Sequence, residues 1–247
     1  RSVHHESYRA GMPPGLDHQL TQRLFRRHAT GKEKPEARGF VLRSQIPPRD
    51  ATTPATAIDL SKLYNAVLHE PWHRQINSAI VSPPIYRTLN TGLHHFAGIP
   101  FDIRGVINLS AGLPTTIVFP SLVRNIPIRK KADQLHFLNG GFRGSLTGVP
   151  SAVYRVFYAD GKAAQFVVRW NVEIGDCWIS DGARDIKNMV WRGEGTAIFD
   201  SKRDTALYLA TWNNPRPDVE ISHIDYQATL KEVNPFLVAI TAENFSE

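Results

Sequence analysis

Residues 101–109 read Phe-Asp-Ile-Arg-Gly-Val-Ile-Asn-Leu and alternate with period two. Phe101, Ile103, Ile107 and Leu109 fall on one side, and Asp102, Arg104 and Asn108 on the other. A helix needs apolar residues every three to four positions, so this spacing predicts a half-buried β-strand. Asp102 and Arg104 share a face and are placed to pair with each other or with a neighbour.

Most of the chain beyond residue 109 repeats the pattern. Residues 134–138 read as a strand ended by Asn139-Gly140-Gly141. Residues 122–130 read as a strand in which Pro127 demands an edge or a bulge. The clearest hairpin joins 153–158 to 166–170 across Ala159-Asp160-Gly161-Lys162, where Asp-Gly suits a type I′ turn. Residues 189–191, 196–199, 206–212, 219–226 and 236–242 are further strands, and Pro215 and Pro217 mark a bend between two of them. About ten short strands with turn residues between them predict an all-β fold, a β-sandwich of jelly-roll type. Without a fixed repeat, a propeller is not expected.

The 247 residues suffice for one large β domain or two small ones, and a single cysteine, Cys177, rules out an intrachain disulfide. No apolar run reaches the roughly 20 residues of a membrane-spanning helix. The chain opens on Arg1 rather than Met, so we expect a processed terminus or a preceding anchor.

Charge divides the chain. Residues 1–49 carry ten Lys/Arg against four Asp/Glu, whereas residues 50–247 carry nineteen of each. The spacing predicts a basic, extended, partly helical arm and linker over 1–56 and a sandwich over 57–247. Leu16, Leu20, Leu24 and Phe25 form a narrow stripe on a short helix, with Arg23, Arg26 and Arg27 elsewhere on it. A helix this short needs something to dock on, so Leu20, Leu24, Arg23, Arg26 and Arg27 are the expected partner contacts. No nucleic-acid-binding motif accompanies them, and nucleic acid is not expected as a partner. Pro35, Pro47, Pro48 and Pro54 keep the connector extended, and proteolysis is expected first between 31 and 54.

Residues that look like chemistry mostly have a plainer reading. His69-Glu70-Pro71-Trp72-His73 spells H-E-x-x-H, but Pro71 breaks the helix that would put both histidines on one metal. His4-His5 and His94-His95 are adjacent pairs, which a strand sends to opposite faces. Cys177 lacks an activating neighbour and is expected to be buried and inert. Gly193-Glu194-Gly195 is too short for a phosphate cradle. We expect no metal, no cofactor and no catalytic residue.

The tryptophans are more informative. Trp170 alternates with Phe166 and Val168 and belongs in the core. Trp72, Trp178, Trp191 and Trp212 sit beside polar residues, as rings on a sugar-binding surface do. Trp178 is the leading ligand contact, in a stretch that also holds Asp176, Asp181 and Arg184.

Several blocks together resemble a known family. They are Ile46-Pro47-Pro48-Arg49-Asp50; Ala57-Ile58-Asp59-Leu60 with Tyr64-Asn65-Ala66; residues 96–107; Ile126-Pro127-Ile128; Leu135-His136-Phe137-Leu138; Tyr158-Ala159-Asp160-Gly161; and residues 211–221 with Ile224-Asp225-Tyr226. In this order they resemble bacterial modules of the galactose-binding-domain-like jelly-roll kind, appended to anti-sigma-factor-like and other multidomain proteins. The resemblance covers about 46–243. It implies a non-catalytic sandwich that binds carbohydrate or protein, often outside the cytoplasm, and carries over no catalytic residues.

The expectation is therefore a non-enzymatic accessory subunit or domain that mediates protein–protein assembly through its arm and sandwich surface. Carbohydrate binding is the alternative, and a glycan hydrolase the remote one. The expected location is extracytoplasmic or periplasmic, with peripheral membrane association through the arm.

Overall fold

The computed structural model describes residues 45–70, 72, 85–111, 119–142, 144–179, 187–194, 204–229 and 233–245. The expected arm helix, with Leu20, Leu24, Arg23, Arg26 and Arg27, lies outside them, as do His4-His5 and the strand expected at 196–199.

Among the described residues the chain forms an all-β sandwich. Its strands are β1 (Ala66–Val67), β2 (Gly92–Phe96), β3 (Ile99–Ile103), β4 (Gly105–Asn108), β5 (Leu122–Lys130), β6 (Gln134–Phe142), β7 (Pro150–Tyr158), β8 (Ala163–Arg169), β9 (Trp178–Ile179), β10 (Met189–Gly193), β11 (Asp204–Asn213), β12 (Ile221–Ala228) and β13 (Asn234–Glu243). One sheet has seven strands in the order β1-β4-β13-β6-β11-β10, with β9 also on β11. The second has the order β5-β12-β7-β8, and β2 and β3 form a separate hairpin. All strand pairings are antiparallel. No helix among the described residues is long and apolar enough to cross a membrane.

The core between the sheets takes alternate residues from both. Leu135 and Phe137 of β6 and Leu237, Ile240 and Ala242 of β13 meet Tyr154, Val156, Ile224 and Tyr226 of the smaller sheet. The residues between them are buried as well. Leu138, Phe142, Phe236, Val238 and Ala239 turn to the opposite face and pack on Leu68, Trp72, Ile85, Tyr86, Phe101 and Ile103. A bulge between Leu237 and Ala239 resets the alternation of β13, so that Leu237 before it and Ile240 and Ala242 after it share one face. The seven-stranded sheet is thus covered on both faces, and among the described residues the second cover comes from Leu68, Trp72, Ile85, Tyr86, Phe101 and Ile103. Each large side chain it buries stabilises by about 1.5–3 kcal/mol.

Three expectations need correcting. The stretch 101–109 is not half-buried: all nine residues are buried. It also breaks at Arg104, passing from the hairpin strand β3 to β4 of the large sheet. Its polar side is buried because its partners are inside too. Asn139-Gly140-Gly141 does not end β6 but lies within it. A Cβ on Gly140 would sit 2.6 Å from the Phe236 ring, and one on Gly141 would sit 2.9 Å from Trp170 and from Val233, so these glycines make room for neighbouring side chains. The β7–β8 loop is not type I′. Only Gly161 has positive φ (82°), which suits a type I turn followed by a left-handed residue. The two-residue turn with both φ positive is Ala97-Gly98, between β2 and β3.

Other expectations hold. Pro127 lies on an edge strand beside irregular register, and Pro215 and Pro217 occupy the bend between β11 and β12. One differs: residues 45–56, expected as linker, are tied to the sandwich, with Ile46 packed on the core and Arg49 bonded to Asp102 and the carbonyls of Pro54 and Ala57.

Candidate functional site

Four clusters draw polar side chains together, and two of them are structural corners. At the first, Arg104 Nε donates to both Asp102 oxygens at 3.0 and 3.1 Å, and its Nη2 donates to Asp59 Oδ1. Arg49 Nη1 meets Asp102 Oδ2 at 2.9 Å. Arg104 and Asp102 are each 2% exposed. The Asp102–Arg104 pairing expected from their shared face is present. Partial burial pushes the Asp59 carboxyl up, but the hydroxyl and amide of Ser61 and the Arg104 guanidinium outweigh it and hold it at about 2. At the second corner, Arg216 forks onto Asp160 (3.0 and 2.5 Å) and lies 4.7 Å over the Tyr158 ring. Both clusters fasten chain segments together.

The third cluster was not foreseen. His136 on β6 sits between Thr211 of β11, whose Oγ1 is 2.9 Å from Nδ1, and Glu243 of β13, whose Oε2 is 2.8 Å from Nε2. Hydroxyl, imidazole and carboxylate stand in the order of a hydrolase relay. The setting is that of a tie across three adjacent strands: His136 is 3% exposed, and neighbouring Thr241 turns its hydroxyl to the Pro100 carbonyl. In the sequence these are three polar residues among several on largely apolar strands, and joining them required the register.

The fourth cluster holds the expected ligand contacts. Trp178 on β9 is half-buried, and its backbone N–H donates to Asp176 Oδ1 at 3.0 Å. Asp181 and Arg184 lie outside the described residues, so of the expected set the structure brings together Trp178 and Asp176. Trp178 faces Thr205 of β11 in register, and Thr205 faces Gly193 of β10. The Trp191 indole lies where a Gly193 Cβ would go, 2.1 Å from that position. That is the role of Gly193. Thr205 Oγ1 between them is buried and finds no partner among the described residues. An unmet hydroxyl costs about 1–3 kcal/mol.

The remaining candidates are structural. His69 and Glu70 sit in a turn after β1, and His69 Nε2 is 2.7 Å from the Leu89 carbonyl. Trp72 packs on Phe236 at 5.1 Å. His94 stacks on Phe96 at 5.8 Å, while His95 is exposed. Trp170 and Trp212 are core residues. Cys177 is buried, and burial, with Asp176 beside it, pushes its thiol well up. Among the described residues no group of three His, Cys, Asp or Glu is placed to hold a metal.

The two edges of the four-stranded sheet differ. Edge strand β5 carries Arg124, Pro127, Arg129 and Lys130, two positive-φ residues (Asn125 and Arg129) and irregular register. Such features keep a foreign strand away. Edge strand β8 carries fewer of them: one charge, Arg169, and a register shift, both at its C-terminal end. From Ala163 to Val168 it carries no charge, Gly or Pro, and pairs with β7 without interruption over that span. On its open side Arg169 Nη1 reaches the Val167 carbonyl at 3.4 Å. Leu146, 80% exposed, and Val172, 47% exposed, lie on the loops flanking the β7–β8 pair, joined by a Thr147–Asn171 hydrogen bond.

No protein-family model and no curated protein matches the chain.

Proposed function

We propose that the protein is a non-catalytic assembly module and that it docks a protein partner by strand addition along β8. The observation that carries this is the contrast, among the described residues, between β5, with charges, proline and positive-φ residues along it, and β8, uncharged from Ala163 to Val168, on the same sheet. Main-chain groups on the open side of β8 supply the affinity, and Leu146 and Val172 extend the contact beyond the strand. The basic arm, its charge confined to residues 1–49, is a second contact, to the same assembly or to an anionic membrane surface. The resemblance to galactose-binding-like modules outside the cytoplasm supports an extracytoplasmic setting.

The test is hydrogen exchange of β8 in the assembled and the isolated chain. Slow exchange at Ala163, Gln165 and Val167 only in the assembly, lost with Leu146→Ser/Val172→Ser, supports the reading. Equal exchange in both states sinks it.

A second reading is carbohydrate binding at the Trp178–Thr205–Trp191 rim. It is favoured by two half-buried indoles beside a buried hydroxyl that has no partner among the described residues. Glycan-array binding lost in Trp178→Ala, with an unchanged melting temperature, would shift the assignment to it. No binding in either form would remove it.

A further inference from the structure

We infer that the strand β8 accepts is β8 of a second copy of this chain, paired antiparallel about a two-fold axis through Phe166. This rests on the assembly reading above and names its partner.

The strand is self-complementary. With Phe166 opposite Phe166, Gln165 faces Val167 and Ala164 faces Val168. No charge meets a like charge anywhere between Lys162 and Arg169. An isologous contact requires this, because each residue must tolerate its own neighbours reflected by the axis.

The side chains point the same way. On β8, Ala164, Phe166 and Val168 face the core between the sheets, yet Ala164 and Phe166 remain only partly buried at its rim. A second β8 would carry that core across the axis and close the rim around the two phenylalanines. The backbone direction fits as well. The Val167 carbonyl points away from β7, since Arg169 reaches it there. By the alternation of an antiparallel ladder, Gln165 and Ala163 share that direction. Opposed Gln165 and Val167 would then exchange main-chain hydrogen bonds, and the Arg169 side chain would give way to a strand partner. The exposed Leu146 and Val172 lie on the loops at one end of the β7–β8 pair.

The experiment is sedimentation of the intact chain over a wide concentration range, with Gln165→Lys, Gln165→Glu and their equimolar mixture. Gln165 lies on the outer face of the sheet and is partly exposed, so both variants should fold; their melting curves check this. We expect a dimer for the unaltered chain. Each variant alone should dimerise several-fold more weakly, because the two introduced like charges become diagonal neighbours on the same face across the axis, and mixing the two should restore the dimer. Val167→Lys should behave as Gln165→Lys does. A dimer indifferent to all of these substitutions overturns the inference. So does a monomer at every concentration. If that monomer nevertheless shows β8 amides protected in a larger assembly, the self-pairing fails while the assembly reading stands. If its β8 amides exchange freely in every state, both fail.

Discussion

Two arginines hold two corners of this domain, and they work at opposite ends of the solvent scale. Arg104 is 2% exposed, and so is the carboxylate of Asp102 that it holds. Arg216 and Asp160 are 27% and 38% exposed. Both corners join an arginine to a carboxylate by a pair of hydrogen bonds, and both stand beside a tyrosine ring. The difference teaches where such pairs matter. In water an ion pair replaces good hydration with a slightly better contact, whereas a buried one prevents the large cost of a stranded charge.

The sharpest way to break the comparison is to remove one partner at each corner. Arg104→Ala leaves Asp102 buried with only Arg49 to answer it, and should lower unfolding stability by about 3–5 kcal/mol in urea titration. Adding Asp102→Ala to that variant should recover part of the loss, since the stranded charge is then gone. No recovery would mean that the arginine acts through packing rather than charge. Next in size comes the backbone beside it. A Cβ on Gly105 would lie 2.7 Å from Tyr64 Cγ and 3.0 Å from Ile46 Cδ1. Gly105→Ala should therefore cost about 1–3 kcal/mol by overpacking, read from the same titration.

At the second corner the weight falls on a neutral residue. Asn214 is buried, donates to the Ala132 carbonyl at 2.7 Å and accepts from the Tyr158 hydroxyl at 2.6 Å. It also bonds both backbone groups of Arg216. Asn214→Ala should cost about 1–3 kcal/mol, clearly more than removing Asp160 in the same loop. Equal effects would mean that the exposed ion pair shares the load.

These corners also show how much could be read before the structure. The motif Trp212-Asn213-Asn214-Pro215-Arg216-Pro217 announced a bend, because two prolines cannot sit in a paired strand. Residues 153–170 announced a hairpin by alternation and an Asp-Gly turn. Asp102 and Arg104 could be paired by spacing alone, but their burial could not be foreseen: alternation assigns polar residues to water, and the cover among the described residues lay in the irregular stretch around 64–103. Gly140 and Gly141 read as a stop because nothing nearby in sequence hints at Phe236 or Trp170 pressing on them. His136, Thr211 and Glu243 are scattered over more than a hundred residues, and only strand order unites them. The same holds for β8. The absence of charge from 163 to 168 is visible in the sequence, but its position at an edge is a property of the sheet.

The smallest expected effect separates the corners by acid and salt. Asp59 is held at about 2 against an ordinary 3.8. At the exposed corner the Arg216 fork, with the Lys162 amide, also holds Asp160 at about 2. A carboxyl depressed in the folded state binds fewer protons there than in the unfolded chain. Its contribution is therefore complete above about pH 4 and is lost as the pH falls toward 2. Both corners should give an acid limb in that window. Arg104→Ala should make the limb shallower at any ionic strength, because the Arg104 end of the pair is shielded from salt. Asp160→Asn should change it slightly at low salt and not at all at high salt, where mobile ions screen an exposed pair. Melting temperatures from pH 5 to pH 2, at low and high salt, read both. If salt flattens the Arg104 contribution as fully as that of Asp160, then the buried corner is wetter than its packing implies, and the two arginines do the same work after all.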